Sequence, residues 1–205
     1  PNDADFVTYI PRCPETAARS YAAKTGIEFI EVFYKMRGER SFQGSTREER
    51  KQSIKENLYF LSDSKNKISG KNLIIIDDST IRGNNAARSI QLLKNEGNVN
   101  KIYLLNYTSK IGIIGEDNIP RGCLFGVDMP PNDDFIVRHI PQERDPDYYT
   151  GHPRNKTQEE LNKVLGVELL FLPPEKMLRA FERVGFNRKD LCTYCIGGKH
   201  PFHDI

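Results

Sequence analysis

The chain has 205 residues and a mass of 23.5 kDa, which sets one domain as the default. Thirty Lys and Arg against 28 Asp and Glu leave a formal net charge of +2, a balance that argues against a duplex-DNA binder relying on phosphate neutralisation. Apolar residues reach 38% with a mean hydropathy of −0.59, no stretch approaches the ~18 apolar residues of a membrane span, and no leader precedes the first apolar run, so the chain reads as soluble and cytoplasmic, with neither nucleic acid nor membrane among its partners.

Short β-rich runs alternate with longer helical ones. FVTYI (Phe6 to Ile10) predicts a strand almost at once, and a start on Pro1 rather than Met reads as a processed or excised piece. Glu15 to Lys24 predicts a helix that Gly26 ends from the C′ position. IEFIEVFY (Ile27 to Tyr34) predicts one strand, followed by a polar, basic segment from Lys35 to Asn57 that Gly38 and Gly44 interrupt, read as loop then helix. NLIIID (Asn72 to Asp77) is a continuous apolar run ending in carboxylates, the pattern of a strand buried on both faces at the centre of a parallel sheet. Asn84 to Asn95 carries a helical stripe that Gly97 closes, and KIYLLNY (Lys101 to Tyr107) resumes the strand pattern. CLFGVDM (Cys123 to Met129) reads as a short strand, Thr157 with Glu160 as a helix-capping pair, and PPEKMLRAFERVG as a helix begun by proline. These units predict an α/β fold: an open, mostly parallel twisted sheet with helices on both faces. The expected organisation is a core over residues 1–186, with a flexible lid at about 36–53, and a cysteine-containing tail at 187–205.

The chemistry concentrates in LIIIDDSTIRGNNAARSI, from Leu73 to Ile90. Open α/β sheets bind ligands outside the carboxyl ends of their strands, where this run delivers Asp77 and Asp78 and then a loop of small polar residues. Ser79, Thr80, Gly83, Asn84 and Asn85 lead into a helix whose first N–H groups and positive dipole end suit a phosphate. Adjacent carboxylates suit cis-hydroxyls or a hard cation, so the run describes a site for a ribose 5-phosphate. YIPRCPETAAR (Tyr9 to Arg19) repeats the strand, turn and helix pattern and implies a second anion site at Arg12 and Cys13. The basic segment from Lys35 reads as a mobile cover for an anionic substrate, with Lys35 and Arg37 its leading residues. Four cysteines are too few for a disulfide scaffold, and Cys192 with Cys195 in a CxxC suggests metal or redox chemistry.

Four apolar residues, two Asp, a hydroxyl, an apolar residue, Arg82, Gly83 and a helix resemble the phosphoribosyl pyrophosphate (PRPP) motif of type I phosphoribosyltransferases. Several further blocks resemble the phosphoribosyltransferase half of glutamine PRPP amidotransferases: YKMRGERSF (Tyr34 to Phe42), FGVDMP (Phe125 to Pro130), VLGVELLFLPPEKMLRAF (Val164 to Phe181) and CTYCIGGKHPF (Cys192 to Phe202). Two departures stand beside them: that family often carries Thr where this chain has Asn84 and Asn85, and an acidic residue with Ser after the proline where it has Arg12, Cys13, Pro14 and Glu15.

The resemblance implies transfer of the phosphoribosyl group from PRPP to ammonia, with pyrophosphate released and 5-phosphoribosylamine formed. It implies Lys35, Arg37 and Arg40 as catalytic residues and Asp77, Asp78, Ser79, Thr80, Ile81, Arg82, Gly83, Asn84, Asn85, Arg12 and Cys13 as the PRPP site. Mg²⁺ would be held at Asp77 and Asp78, and an iron–sulfur cluster at Cys123, Cys192 and Cys195, whose fourth ligand would lie upstream of Pro1. The glutaminase domain of that family and the opening helix and strand of its transferase half have no counterpart in this sequence. The expected partners are therefore PRPP, ammonia, a separate glutaminase domain or subunit, and further copies of the chain in a homo-oligomer. The competing readings are a non-catalytic PRPP-binding regulator and a salvage phosphoribosyltransferase.

Overall fold

In the computed structural model, which describes residues 1–35, 58–126, 129–138 and 154–202, the run Asn72–Asp77 is strand β5, the middle of five. The sheet has the order β2-β1-β5-β6-β7, formed by Glu28–Phe29 (β2), Phe6–Tyr9 (β1), β5, Lys101–Asn106 (β6) and Glu168–Phe171 (β7). β1 runs parallel to both β2 and β5, and β5 parallel to β6, with Phe6 opposite Leu73 and Asp77 opposite Asn106. A separate antiparallel ribbon pairs Phe33–Lys35 (β3) with Leu58–Phe60 (β4). The helices are α1 (Glu15–Thr25), α2 (Lys65–Ile68), α3 (Asn84–Asn95), α4 (Gln158–Leu165) and α5 (Pro174–Arg183).

The alternation along the strands explains the layers. Val7, Tyr9, Ile74, Ile76 and Tyr103 pack with Ala18 and Ala22 of α1 on one face. Their alternates Thr8, Leu73, Ile75, Ile102 and Leu104 belong to the opposite face and are just as deeply buried. β1 connects through α1 to β2 on one side, whereas β5 connects through α3 to β6 on the other. Right-handed crossovers in opposite directions place such helices on opposite faces of the sheet.

The chain divides into two compact units. One comprises Pro1–Asp78, Gly83–Asn106 and Leu165–Leu170, and the other Ser79–Arg82 with the described residues of Tyr107–Val164 and Phe171–Ile205. Within the second, α4 carries a reciprocal cap: Glu160 donates its N–H to Thr157 Oγ1 at 3.3 Å, and Thr157 donates its N–H to Glu160 Oε2 at 2.7 Å. The tail is made of turns over Arg188–Asp190 and Tyr194–Ile196, and the Cys195 carbonyl accepts the Gly112 N–H at 2.8 Å.

Three local expectations change. Ile27 to Tyr34 is not one strand: Ile30 makes the last bond to β1, through the Val7 carbonyl at 2.9 Å, and the chain then bends into the β3 ribbon. Val32 and Phe33 are consecutive and both buried, which a straight period-two strand with one solvated face does not allow. Cys123 to Gly126 and Met129 form no strand, and Cys123 donates its N–H to the Met129 carbonyl at 2.7 Å. Gly97 does close α3, but for want of space: a Cβ there would lie 2.8 Å from the Leu93 carbonyl oxygen and 3.0 Å from Ile68 Cδ1. The positive φ that follows α3 falls instead on Asn98, at 49°. Gly97→Ala should therefore cost about 1–3 kcal/mol, read as a lower urea midpoint by circular dichroism, because its nearest neighbour is backbone and cannot yield as a side chain does.

Candidate functional site

The strand order reverses direction between β1 and β5, and an open sheet has its crevice at the carboxyl ends of such a pair. β1 ends at Tyr9 and continues through Ile10, whose N–H bonds the Ile76 carbonyl at 3.0 Å, into the turn Pro11–Arg12–Cys13 that opens α1. β5 ends on Asp77 and Asp78 at the same edge. Lys35 closes β3, and its carbonyl oxygen accepts a bond from Arg12 Nη2 at 3.0 Å. Arg12 and Cys13 are exposed, and the Pro11–Arg12 peptide is cis.

The charges of these groups act on one another. Asp77 is 6% exposed and its carboxyl is held well above the usual carboxylate range, first by burial and then by the charge and hydrogen bond of Asp78. The Asp78 N–H, 2.9 Å from Asp77 Oδ1, and the Lys35 ammonium pull the other way. Lys35 in turn is lowered by burial and by the Arg12 charge, with Asp77 and Asp78 opposing. Arg12, Lys35, Asp77 and Asp78 thus form one electrostatic group at one strand edge.

After the acid pair, Ser79 is half-buried and Thr80 is 3% exposed. The Ile81 carbonyl accepts the Ile136 N–H at 2.8 Å, and the Arg82 guanidinium pairs with the Asp133 carboxylate. Gly83 is left-handed at φ 78°, a conformation L side chains rarely adopt, and from it the chain enters α3. The first turn of α3 begins with Asn84 and Asn85 and holds no acidic side chain, so its positive end is uncompensated by its own residues, as an anion site requires.

Arg37, Arg40 and the expected lid lie outside the described residues. Cys123, Cys192 and Cys195 all belong to the second unit. All four cysteines are free, Cys13 and Cys192 exposed. Burial, and then the neighbouring Cys123 and Cys192, raise the Cys195 thiol above its ordinary value. Among the described residues no three His, Cys, Asp or Glu gather to hold a metal ion, so the iron–sulfur expectation finds no support. Asp133 is the residue that reading the sequence missed; nothing local marks it, since its partner Arg82 is 51 residues away.

Comparison with known proteins bears on this arrangement. The chain is 29% identical over 203 residues to the amidophosphoribosyltransferase of Methanocaldococcus jannaschii, covering 98% of the chain and 36% of that protein. The amidophosphoribosyltransferases of Archaeoglobus fulgidus and Homo sapiens are 27% and 25% identical, each again over 98% of the chain and 38% of the relative. The glutamine PRPP amidotransferase of B. subtilis, solved with ADP and GMP, superposes with a TM-score of 0.66 at 23% identity over 97% of the chain. The fold is that of the PRPP amidotransferases. The chain spans little more than a third of its amidophosphoribosyltransferase relatives, and no protein-family model matches it. In this fold the acid pair ends the central strand, and among the described residues no helix is long and apolar enough to cross a membrane.

The buried carboxyl makes a testable demand. Because the folded-state pKa of Asp77 lies above its unfolded value of about 4, its contribution to stability is fully present below that value and is lost as pH rises through the folded pKa. Asp77→Asn keeps an acceptor for the Asp78 N–H but carries no charge. Its melting temperature should exceed that of the wild type at pH 8, and the gap should close as pH falls towards 4 in a calorimetric pH series.

Proposed function

We propose that the protein transfers the 5-phosphoribosyl group of PRPP to ammonia, releasing pyrophosphate and forming 5-phosphoribosylamine, the reaction that opens purine biosynthesis. The observation that carries this reading is the buried Asp77 with the half-buried Asp78 beside it at the sheet's switch point, grouped with Lys35 and Arg12 and followed in sequence by the uncompensated amino end of α3. The amidophosphoribosyltransferase relatives support it along the length of the chain.

Asp77 and Asp78 accept hydrogen bonds from the ribose 2- and 3-hydroxyls. A carboxyl that burial drives towards its protonated form is stabilised as the anion by such donors, so the sugar supplies what the protein by itself does not. The two carboxylates also fit Mg²⁺, a hard cation that takes few protein ligands and completes its shell with water and phosphate oxygens. When bound, the ion adds positive charge against the departing pyrophosphate. The loop from Ser79 through Asn85 receives the 5-phosphate, and Arg12, Cys13 and Lys35 face the pyrophosphate.

The bond from the anomeric carbon to the pyrophosphate oxygen breaks, and its electron pair leaves with pyrophosphate. The nitrogen lone pair forms the new bond to carbon, and the ammonium so produced gives up a proton. The transition state is cation-like, so the protein contributes positioning, charge on the leaving group and exclusion of water rather than a strong base. The ammonia comes from solution or from a glutaminase domain or subunit.

Calorimetric titration with PRPP and Mg²⁺, joined to a pyrophosphate-release assay with ammonium or glutamine, tests this. Binding should occur, and ammonium should support release. Asp77→Asn with Asp78→Asn should weaken PRPP binding by about 100-fold, as expected for losing charged acceptors of two hydroxyls. Unchanged affinity in that double variant would refute the site, and binding without release under any nitrogen donor would make the protein a PRPP-responsive regulator.

A further inference from the structure

The loop Ser79–Arg82 is fastened to a segment far along the chain. Ile136 donates its N–H to the Ile81 carbonyl at 2.8 Å, and Arg82 pairs with Asp133. The two side chains of that pair are only 19% and 17% exposed, so water competes weakly for either charge. Asp133 is itself fixed, since its Oδ1 accepts the Asp134 N–H at 2.8 Å while its Oδ2 takes Arg82. The segment beneath is tightly packed. Phe135, Ile136 and Val137 are at most 1% exposed, and the Phe135 ring occupies the space beside Gly112 where any Cβ would approach to 2.1 Å. Arg138 lies over the same ring, 4.7 Å from its centroid, and also bonds the Pro131 carbonyl.

An arginine in a phosphate loop invites assignment as a phosphate ligand. Here its charge is already matched by an oriented, shielded carboxylate. Drawing Arg82 away to a ligand would leave Asp133 with an uncompensated charge in a poorly solvated place, which is costly. We propose that Asp133 is a positioning residue and Arg82 its brace: the pair fixes the loop so that backbone N–H groups and hydroxyls, rather than the guanidinium, receive the 5-phosphate. This rests on the PRPP reading above. Fixing the loop before the ligand arrives removes part of the ordering cost of binding.

A brace and a ligand differ in how their losses combine. Two members of one brace fail together, so removing the second costs little more, whereas a direct ligand and an independent residue lose affinity separately. The experiment is PRPP titration with Mg²⁺ on the wild type, Arg82→Ala, Asp133→Asn, the double variant and Asp133→Glu, together with hydrogen exchange of all five proteins without PRPP. Each of Arg82→Ala and Asp133→Asn should weaken binding about tenfold and the double variant also about tenfold, not the roughly hundredfold of independent sites. Asp133→Glu should recover most of the affinity, and exchange at Ser79–Gly83 and at the Ile136 amide should accelerate in Asp133→Asn but not in Asp133→Glu. Full affinity in Asp133→Asn, or a hundredfold loss in the double variant, would overturn the brace. If the wild type bound no PRPP, the substrate reading would fall by itself, and exchange unchanged by Asp133→Asn would still overturn the brace.

Discussion

Asp77 stands at the end of a strand whose preceding residues Leu73 to Ile76 are at most 4% exposed, and at 6% exposure it shares their burial. A carboxylate placed there is poorly solvated, and a second carboxylate beside it adds repulsion. The fold meets that penalty in part, through the Asp78 N–H and the nearby Lys35 charge. Under the proposed function the remainder is met by the substrate, because ribose hydroxyls and a divalent cation are the groups that two crowded carboxylates favour. The strain in the unliganded protein and the affinity for the sugar then have one origin, the common bargain by which a site gives up stability for function.

The same edge shows why a net charge of +2 says little about the ligand. Near-neutrality overall coexists with a local opposition of Arg12 and Lys35 to Asp77 and Asp78. Arg12 donates to the Lys35 carbonyl, a neutral acceptor, so that contact holds the side chain without neutralising its charge. Lys35 experiences both burial and the Arg12 cation, and the acid pair offsets them only in part. A polyanion entering beside these cations would relieve their mutual repulsion, as the acid pair is relieved by hydroxyls.

Much of this was legible in the chain itself, for reasons that differ by element. β5 announced itself because a strand buried on both faces must be apolar throughout, and the acids at its end then marked the carboxyl edge, where open sheets of this kind hold their ligands. Thr157 with Glu160, and Gly26 after α1, were readable because capping is local chemistry; both appear as bonds or angles, with Gly26 at φ 74°. Ile27 to Tyr34 misled because alternation reports burial but not direction, and a bend that sends β3 into a second sheet keeps nearly the same pattern. Gly97 was assigned the right position for a different reason, since crowding by Leu93 and Ile68 is a property of packing. Cys123 and the CxxC pair lie far apart in sequence, and that they neighbour one another is a property of the tertiary fold that the spacing alone does not report.

Arg82 shows the limit most clearly, because there the local reading is chemically sensible and still incomplete. A cation beside a helix amino terminus with no acid in its first turn looks like a phosphate ligand. But an unmatched guanidinium next to a positive dipole end would be repelled in the unliganded protein and would leave the loop without a fixed shape. A carboxylate 51 residues on, Asp133, pairs with the guanidinium and so matches its charge and fastens the loop at once. Its cost is that the arginine's charge is no longer available to attract an anion at full strength. Charge neutralisation and preorganisation therefore pull in opposite directions at this residue. Under the proposed function the arrangement is advantageous only if the phosphate gains more from amides already in place than it loses in long-range attraction, and hydrogen bonds to fixed donors in a shielded site favour that balance.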